Sequence, residues 1–270
     1  MNDTLVLIPT YNNAGTLEDV VRRALAQGLP VMVVNDGCTD GTARILEEIL
    51  ESLQLSGAFA RTEPPRKSEI SGDPGRSRSD AEESCKLSVV SHPENRGKGK
   101  ALKTGFKEAK RLGYKYVITL DADGQHFPED IPVLLAEKGD KTLVVGSRSI
   151  RGIDGHSSFA NRFSNFWFRL YTMVNLPDTQ TGYRLYPLER LPWLGLLSAR
   201  YEAELTLLVF SAWKGLELKP VPVRVSYPED RVSHFRPFRD FARISLLNTL
   251  LLFIAIVYGY PRTLLRKIHL

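Results

Sequence analysis

Short apolar runs alternate with amphipathic stretches through the first half of the chain. The run TLVLIPT at 4–10 is rich in branched residues and ends at Pro9 and Thr10, which predicts a buried strand. In GTLEDVVRRALAQG, apolar residues recur at Leu17, Val20, Val21 and Leu25 before Gly28, the spacing of one helix face. The same alternation continues with PVMVVND as a strand, TARILEEILESLQL as a helix, KLSVVSH as a strand, GKALKTGFKEAKRLG as a helix and YKYVITL as a strand. Strands that alternate with helices imply right-handed crossovers and a mostly parallel sheet, whose ligand crevice lies beyond the carboxyl ends of its strands.

All the unusual polar motifs fall at those ends. They are PTYNNAG after the first strand, NDGCTDGT after the second, HPENRGKGKA after the third and DADGQH after the fourth. An extended segment repeats every two residues, so Asp121 and Asp123 project to one side while Ala122 points away. Two oxygens from one side suit one hard cation such as Mg2+ or Mn2+. Such an ion takes its remaining ligands from water and substrate phosphates, which suggests a nucleotide partner. Taken alone, the acid pair also fits an ordinary turn. In NDGCTDGT, Asp36 at a strand end is placed to accept hydrogen bonds from a base or ribose, and Gly37 allows close backbone approach. Thr39 and Asp40 are helix-capping types for the helix that follows. Arg96, Lys98 and Lys100 flank two glycines at a helix start, where unpaired N–H groups favour anions; a solvated basic turn is the competing reading. No G-x-G-x-x-G follows the first strand and no G-x-x-x-x-G-K-[ST] occurs, which removes support from dinucleotide and P-loop sites.

Composition narrows the class. The 270 residues, 43% hydrophobic and 25% charged, suffice for one large or two small domains with a core. A net charge of +5 suits an anionic partner, whether a phosphate-bearing substrate, an anionic membrane or nucleic acid, and charge alone does not choose among them. Cys38 and Cys85 are the only cysteines and lack metal-type spacing, so a reducing compartment without a disulfide framework is expected. The opening MNDTLVLIPT has no basic n-region, and no signal peptide is expected.

LIPTYNNAGTL, VVNDGCTDGT, NRGKGKAL, ITLDADGQHFPEDI, VVGSR and TGYRLYP, in that order, resemble the family 2 glycosyltransferases of GT-A fold across nearly the whole chain. Within that family the chain most resembles the polyprenyl-phosphate hexose synthases, of the dolichyl-phosphate mannose synthase type. The resemblance implies that Pro9, Tyr11 and Asp36 hold the nucleoside, and it adds Thr10, Asn13, Gly37, Lys98 and Ala122 to the nucleotide-sugar site. It further implies that Asp121, Asp123 and Gln125 surround a metal, Mg2+ or Mn2+, and the diphosphate. Arg148, Arg162 and Arg231 would face the transferred sugar or the acceptor phosphate. The implied activity is metal-dependent, inverting transfer of a hexose from a nucleotide-diphosphate sugar to a polyprenyl-phosphate or other lipid acceptor. The implied setting is the cytoplasmic face of a membrane, with no nucleic acid partner. Two features depart from the family pattern: Asn35 and Cys38 replace the usual acid and serine, and segment 56–86 stands where relatives have a short connection. Rich in Ser, Pro, Arg and Glu, that segment is expected to be a disordered insertion.

The expected organisation is a GT-A domain over 1–235 and a membrane-associated helical tail over 236–270. From 157, SSFANRFSNFWFRLYTMVNL places Phe159, Phe163, Phe166, Trp167, Leu170, Tyr171 and Val174 on one broad helix face, which suits either core or a membrane interface. The stretch ISLLNTLLLFIAIVYGY is flanked by Arg239 and Arg243 before and by Arg262, Arg266 and Lys267 after. At roughly 16 residues it is short of the roughly 20 that span a bilayer, so an interfacial or re-entrant helix is expected, with a buried terminal helix as the competing reading. Glu202 and Glu204, on the helix predicted within YEAELTLLVFSAWKG, could support catalysis or be helix-face charges. A phosphate acceptor is already anionic and needs cationic positioning, whereas a hydroxyl acceptor needs a base, for which Asp178 is the candidate. A nucleotidyltransferase is a further alternative, but it would carry basic residues in the loop after the first strand, and PTYNNAG has none.

The composition of 56–86 generates the first test. Deleting 58–84 and joining the ends with a short Gly/Ser linker should leave the melting temperature within a few degrees of the parent. A large drop in a thermal melt would show that the segment packs on the core.

Overall fold

Strand β1 (Thr4–Thr10) is buried along its whole length, with Leu5 and Leu7 facing one core and Val6 and Ile8 the other. That two-sided burial explains why it reads as a continuous apolar run rather than an alternating one. The computed structural model describes residues 3–55, 87–148, 155–192, 202–226 and 247–268. The insertion at 56–86 and Arg231 lie outside the described residues.

Strands β2 (Val31–Asp36), β3 (Leu87–His92) and β4 (Tyr116–Thr119) run parallel to β1, followed in the chain by β5 (Thr142–Arg148), β6 (Arg184–Pro187) and β7 (Glu217–Val223). The seven form one sheet in the order β3-β2-β1-β4-β6-β5-β7, with β6 antiparallel to both of its neighbours and β7 parallel to β5. The strand order reverses between β1 and β4, so the loops after these two strands open onto a topological switch point.

Helices cover both faces. Helix α1 (Ala14–Leu25) buries Leu17, Val20, Val21 and Ala24, and with α2 (Thr42–Leu55) and α4 (Ile131–Ala136) it encloses the core under Val6, Ile8, Val31 and Val33. On the other face, α3 (Lys98–Arg111), α5 (Gly155–Thr172) and α6 (Glu202–Lys214) pack around Leu5, Leu7, Met32 and Val34. The broad aromatic face expected on α5 divides in the structure. Phe168 and Tyr171 are fully buried, whereas Phe163, Phe166 and Leu170 are exposed.

The last helix, α7, starts at Leu247 and ends at Ile268, with a π-helical turn at Ala255–Gly259. Its apolar part, the 20 residues Leu247–Arg266, exceeds the window read from the sequence, because the helix continues through Arg262 into the basic flank. Among the described residues it is the one helix long and apolar enough to cross a membrane. Leu247, Leu251, Ala255 and Gly259 are buried at every fourth position. An α-helix would rotate such a stripe away from its partner, and the wider π turn brings it back. The stripe meets Trp213 of α6, whose Nε1 donates to Tyr171 O at 2.9 Å and whose ring lies 6.0 Å from that of Tyr258. Helix α7 therefore shares the core of the sheet's second face.

Candidate active site

Four strand ends meet at the switch point, and their loops are laced together. After β1, Asn12 adopts a positive φ of 55°; its N–H donates to Cys38 Sγ at 3.2 Å, and its Oδ1 accepts Thr39 N at 2.9 Å. Cys38 N in turn donates to Asn35 Oδ1 at 3.0 Å. Asn35 and Cys38, the two departures from the family pattern, thus close this turn by an amide and a thiol. Burial pushes the Cys38 thiol above its usual range. Asp40 accepts Thr42 N at 3.0 Å and Ala14 N at 3.1 Å, so one carboxylate holds the starts of both α2 and α1. Pro9 and Thr10 are buried within β1, Tyr11 is exposed at the rim, and Asn13 Oδ1 accepts the Thr10 hydroxyl at 3.4 Å.

Asp36 is buried, and its oxygens are engaged by the protein itself. Oδ1 lies 2.6 Å from His92 Nδ1 and accepts Arg96 N at 3.0 Å, while Oδ2 accepts Gly97 N at 2.7 Å. His92 Nε2 lies 2.9 Å from Thr104 Oγ1. The sequence had suggested a base or ribose acceptor here; in the structure this carboxylate pins the β3–α3 loop and so the start of α3, where Lys98 stands. Beside it, Gly37 has φ +67°, and a Cβ there would lie 2.2 Å from the Glu94 backbone carbon. Only glycine permits that approach. His92 had no signal in the sequence beyond its place at a strand end.

The acid loop is held from three sides. Thr16 Oγ1 of α1 donates to Ala122 O at 2.6 Å, Asp123 Oδ1 accepts Gln125 N at 3.0 Å, and Gln125 O accepts Ser226 N at 2.9 Å beyond β7. Asp130 accepts Arg224 N at 2.7 Å and Arg224 Nε at 2.9 Å, and the Phe127 ring lies between Arg23 and Arg224 at 5.3 and 4.9 Å. Asp121, Asp123 and Gln125 remain half-buried at the mouth of the crevice. Asp121 packs so closely on the chain before β6 that a Cβ at Gly182 would lie 2.6 Å from its Oδ2. Lys98 Nζ is 2.7 Å from Asp121 Oδ1 and 2.9 Å from Glu204 Oε2. Burial opposes the charge of Lys98, but the two carboxylates outweigh it and hold the ammonium above its usual range. His126 is buried against Tyr183 with no partner at Nδ1, and burial lowers its pKa despite the pull of Asp121.

Arg148 and Asp178 form a second buried pair. Asp178 Oδ2 accepts Arg148 Nε at 2.6 Å, Oδ1 accepts Arg148 Nη2 at 2.9 Å, and Oδ1 also accepts Gln180 N at 3.1 Å. Asp178 is fully buried, so the candidate base is placed as the partner of Arg148. Helix α5 holds this segment through Asn161 and Asn165, whose amides both donate to Pro177 O, and Arg162 is exposed between them. Arg184, at the start of β6, is fully buried: it donates to Glu204 O at 2.8 Å, Thr179 O at 2.9 Å and Tyr186 Oη at 3.2 Å. No role was read for it from TGYRLYP, because a charged residue on a four-residue strand carries no periodic signal.

The donor set fits a hard divalent cation. Two carboxylates stand two residues apart at a part-exposed mouth. Among the described residues no third His, Cys, Asp or Glu joins them to enclose a site, so water, an amide and substrate phosphate would complete the sphere.

Residues 5–61 and 71–187 match the family described as glycosyl transferase family 2. The UDP-N-acetylglucosamine–dolichyl-phosphate N-acetylglucosaminyltransferase of Methanococcus voltae is 27% identical over 245 residues, covering 85% of this chain and 88% of that protein. The polyprenol monophosphomannose synthase of Mycolicibacterium smegmatis is 28% identical over 241 residues, covering 85% and 80%. Among solved structures, glucosyl-3-phosphoglycerate synthase of Mycobacterium tuberculosis, crystallised with Mn2+, UDP and glucosyl-3-phosphoglycerate, superposes with a TM-score of 0.58 at 18% identity, covering 93% of this chain and 79% of that one. That likeness shows the fold, the mixed sheet of the GT-A glycosyltransferases.

The buried Arg148–Asp178 pair gives the second test. Asp178→Ala should lower unfolding free energy by about 3–5 kcal/mol, since it leaves a buried guanidinium without its counter-charge. Urea denaturation should show Asp178→Asn losing less, because its amide oxygen still accepts one N–H.

Proposed function

The chain belongs to glycosyl transferase family 2 and is a glycosyltransferase, and from that premise we propose that it moves a hexose from a nucleotide-diphosphate sugar to a polyprenyl phosphate or related lipid phosphate at the cytoplasmic face of a membrane. The observation that carries the lipid half is the outer side of α7. Phe253, Ile256, Val257, Leu264 and Leu265 are each more than half exposed there, while the opposite stripe is locked in the core. Phe163 and Phe166 of α5, with Met173 just beyond its end, add exposed apolar surface on a helix that contacts α7 at its π turn. Contiguous apolar surface of this kind on a folded body favours a lipid interface, with the exposed Arg262 placed to meet anionic headgroups, whereas Arg266 is turned inward and donates to Ala212 O. The names of the relatives, which specify dolichyl phosphate and polyprenol, agree with this acceptor class.

The donor half rests on the switch-point loops. Pro9, Thr10, Tyr11, Asn13 and Gly37 line the β1 and β2 ends, where the nucleoside would lie, and Asp121, Asp123 and Gln125 would hold Mg2+ or Mn2+ beside the diphosphate. When bound there, the cation supplies Lewis-acid neutralisation of the leaving diphosphate. The chain's own residues do the rest. Lys98 adds a second positive charge at the same point, and Gly182 leaves room for Asp121 to reach the mouth. Arg148, fixed by Asp178, and Arg162 would gather the acceptor phosphate, with Arg231 from beyond the described residues. A phosphate nucleophile attacking from the face opposite the diphosphate needs no base and inverts the anomeric centre. This suits a site whose candidate base is already committed to a guanidinium.

Two measurements test the reading. Full-length protein given a panel of nucleotide sugars should transfer one of them to polyprenyl phosphate only when Mg2+ or Mn2+ is present. Asp123→Ala should reduce that turnover at least about 100-fold with an unchanged melt; full turnover by the variant would remove the metal assignment. For the lipid surface, Phe253→Glu with Ile256→Glu alters exposed positions and spares the buried stripe. In a flotation assay with anionic vesicles this double variant should bind at least about tenfold more weakly than the parent while donor hydrolysis is retained. Equal flotation would refute the interface and favour a water-soluble acceptor.

A further inference from the structure

Lys98, Asp121 and Glu204 form a trio of one ammonium and two carboxylates that runs from the half-buried mouth into the core, with the buried Arg184 as a further positive charge nearby. One ammonium bridges two carboxylates, at 2.7 Å to Asp121 Oδ1 and 2.9 Å to Glu204 Oε2. Glu204 itself is 7% exposed, and its second oxygen, Oε1, is buried with no hydrogen-bond partner. Arg184 does not neutralise it through a side-chain hydrogen bond, since the guanidinium donates to the Glu204 backbone carbonyl, to Thr179 O and to Tyr186 Oη. Elsewhere along α6, Leu207, Leu208, Val209 and Trp213 are buried apolar residues. A carboxylate set among them costs several kcal/mol unless it is paired, so packing alone gives no reason for an acid at 204.

A reason appears when Asp121 is asked to do two things. Its Oδ1 is occupied by Lys98 in this structure, yet it is the oxygen set that would ligate a divalent cation. An ammonium on that oxygen and a dication ligated by the same carboxylate compete, because the two positive charges repel each other at close range. Cation binding then favours release of Lys98 from Asp121 without its leaving the crevice, where its charge is wanted beside the diphosphate. Its flexible four-carbon stem already touches Glu204, and the partnerless Oε1 offers a second acceptor a short rotation away. We propose that Glu204 is a positioning residue: it retains Lys98 when Asp121 is given up to a divalent cation, and so sets the affinity of the acid pair for that cation. The proposal rests on the reading of Asp121 as a cation ligand.

The test measures Mn2+ binding to the nucleotide-free, full-length protein by electron paramagnetic resonance of the free ion. Glu204→Gln should weaken binding about tenfold, because Lys98 then holds on to Asp121 as its one remaining carboxylate. Lys98→Met should tighten binding by removing the competitor. In the Lys98→Met background the further change Glu204→Gln should alter affinity by less than about threefold, and Glu204→Asp should recover part of the loss in the parent. An equal loss in both backgrounds, or no loss in the parent, overturns the proposal. Should Glu204→Gln fail to fold, Lys98→Met decides alone: unchanged or weaker Mn2+ binding overturns the proposal, tighter binding upholds it. Asp121→Asn separates the two levels of inference. If it binds Mn2+ like the parent, the cation reading fails and this proposal with it; if it loses binding while Glu204→Gln does not, this proposal alone fails.

Discussion

A carboxylate taken out of water must be met by donors, and that requirement organises the crevice end of this sheet. Asp36 collects His92 and two backbone N–H groups, Asp178 collects the Arg148 fork, Asp130 collects Arg224, and Asp121 collects Lys98. Each contact joins segments far apart in the chain. The loops after β2, β3 and β4 are therefore located by the pairing of Asp36 and Asp121 as much as by the strands that deliver them. Removing one partner strands the other in a poorly solvated place, which makes each pair more consequential than its modest net energy suggests.

How much of this was legible in the sequence depends on whether a residue belongs to a periodic pattern. The first four strands and the helices between them were readable because buried parallel strands give apolar runs and their covering helices give a 3.6-residue rhythm. The placement of the polar motifs at strand ends followed from that alone. Strand β6 was not readable as an antiparallel insertion, since RLYP is four residues long and pairing direction leaves no mark on so short a run. Nor could the division of the α5 face be read, because exposed Phe166 and buried Phe168 are equally apolar and only the location of α6 and α7 separates them. In the site, Asp121 and Asp123 stood out by spacing, whereas the partners of the acids did not. His92, Arg184 and Glu204 come from a strand end, a short strand and a helix, and only tertiary structure brings them to the acids.

Helix α7 shows how one element can serve both stability and location. Its inner stripe of Leu247, Leu251, Ala255 and Gly259 is part of the core that contains Trp213 and Tyr171, so the helix cannot be detached without uncovering that core. Its outer side is as apolar as the inner one. A π turn costs hydrogen-bond quality, and it persists here where the stripe must stay aligned with Trp213. The exposed apolar side built this way is registered to the sheet by packing, unlike a flexible tail.

Charge balance links that geometry to chemistry. A site of the proposed kind, for a diphosphate and an acceptor phosphate, would need positive charge that is present at the right moment but does not collapse onto the site's own acids. The structure contains two solutions. Arg148 is held in a closed, fully paired fork with Asp178, which fixes its direction and leaves little freedom. Lys98 bridges two carboxylates of unequal situation, one at the mouth and one inside the core, at 2.7 and 2.9 Å. In the proposed transfer, the fork with Asp178 sets the direction in which the rest of the Arg148 guanidinium is presented, and a compact ammonium on a flexible stem can change partner at small cost. A cation fixed beside the α5 segment and one bridging two carboxylates beside the acid pair would then suit the two counter-charges of that transfer.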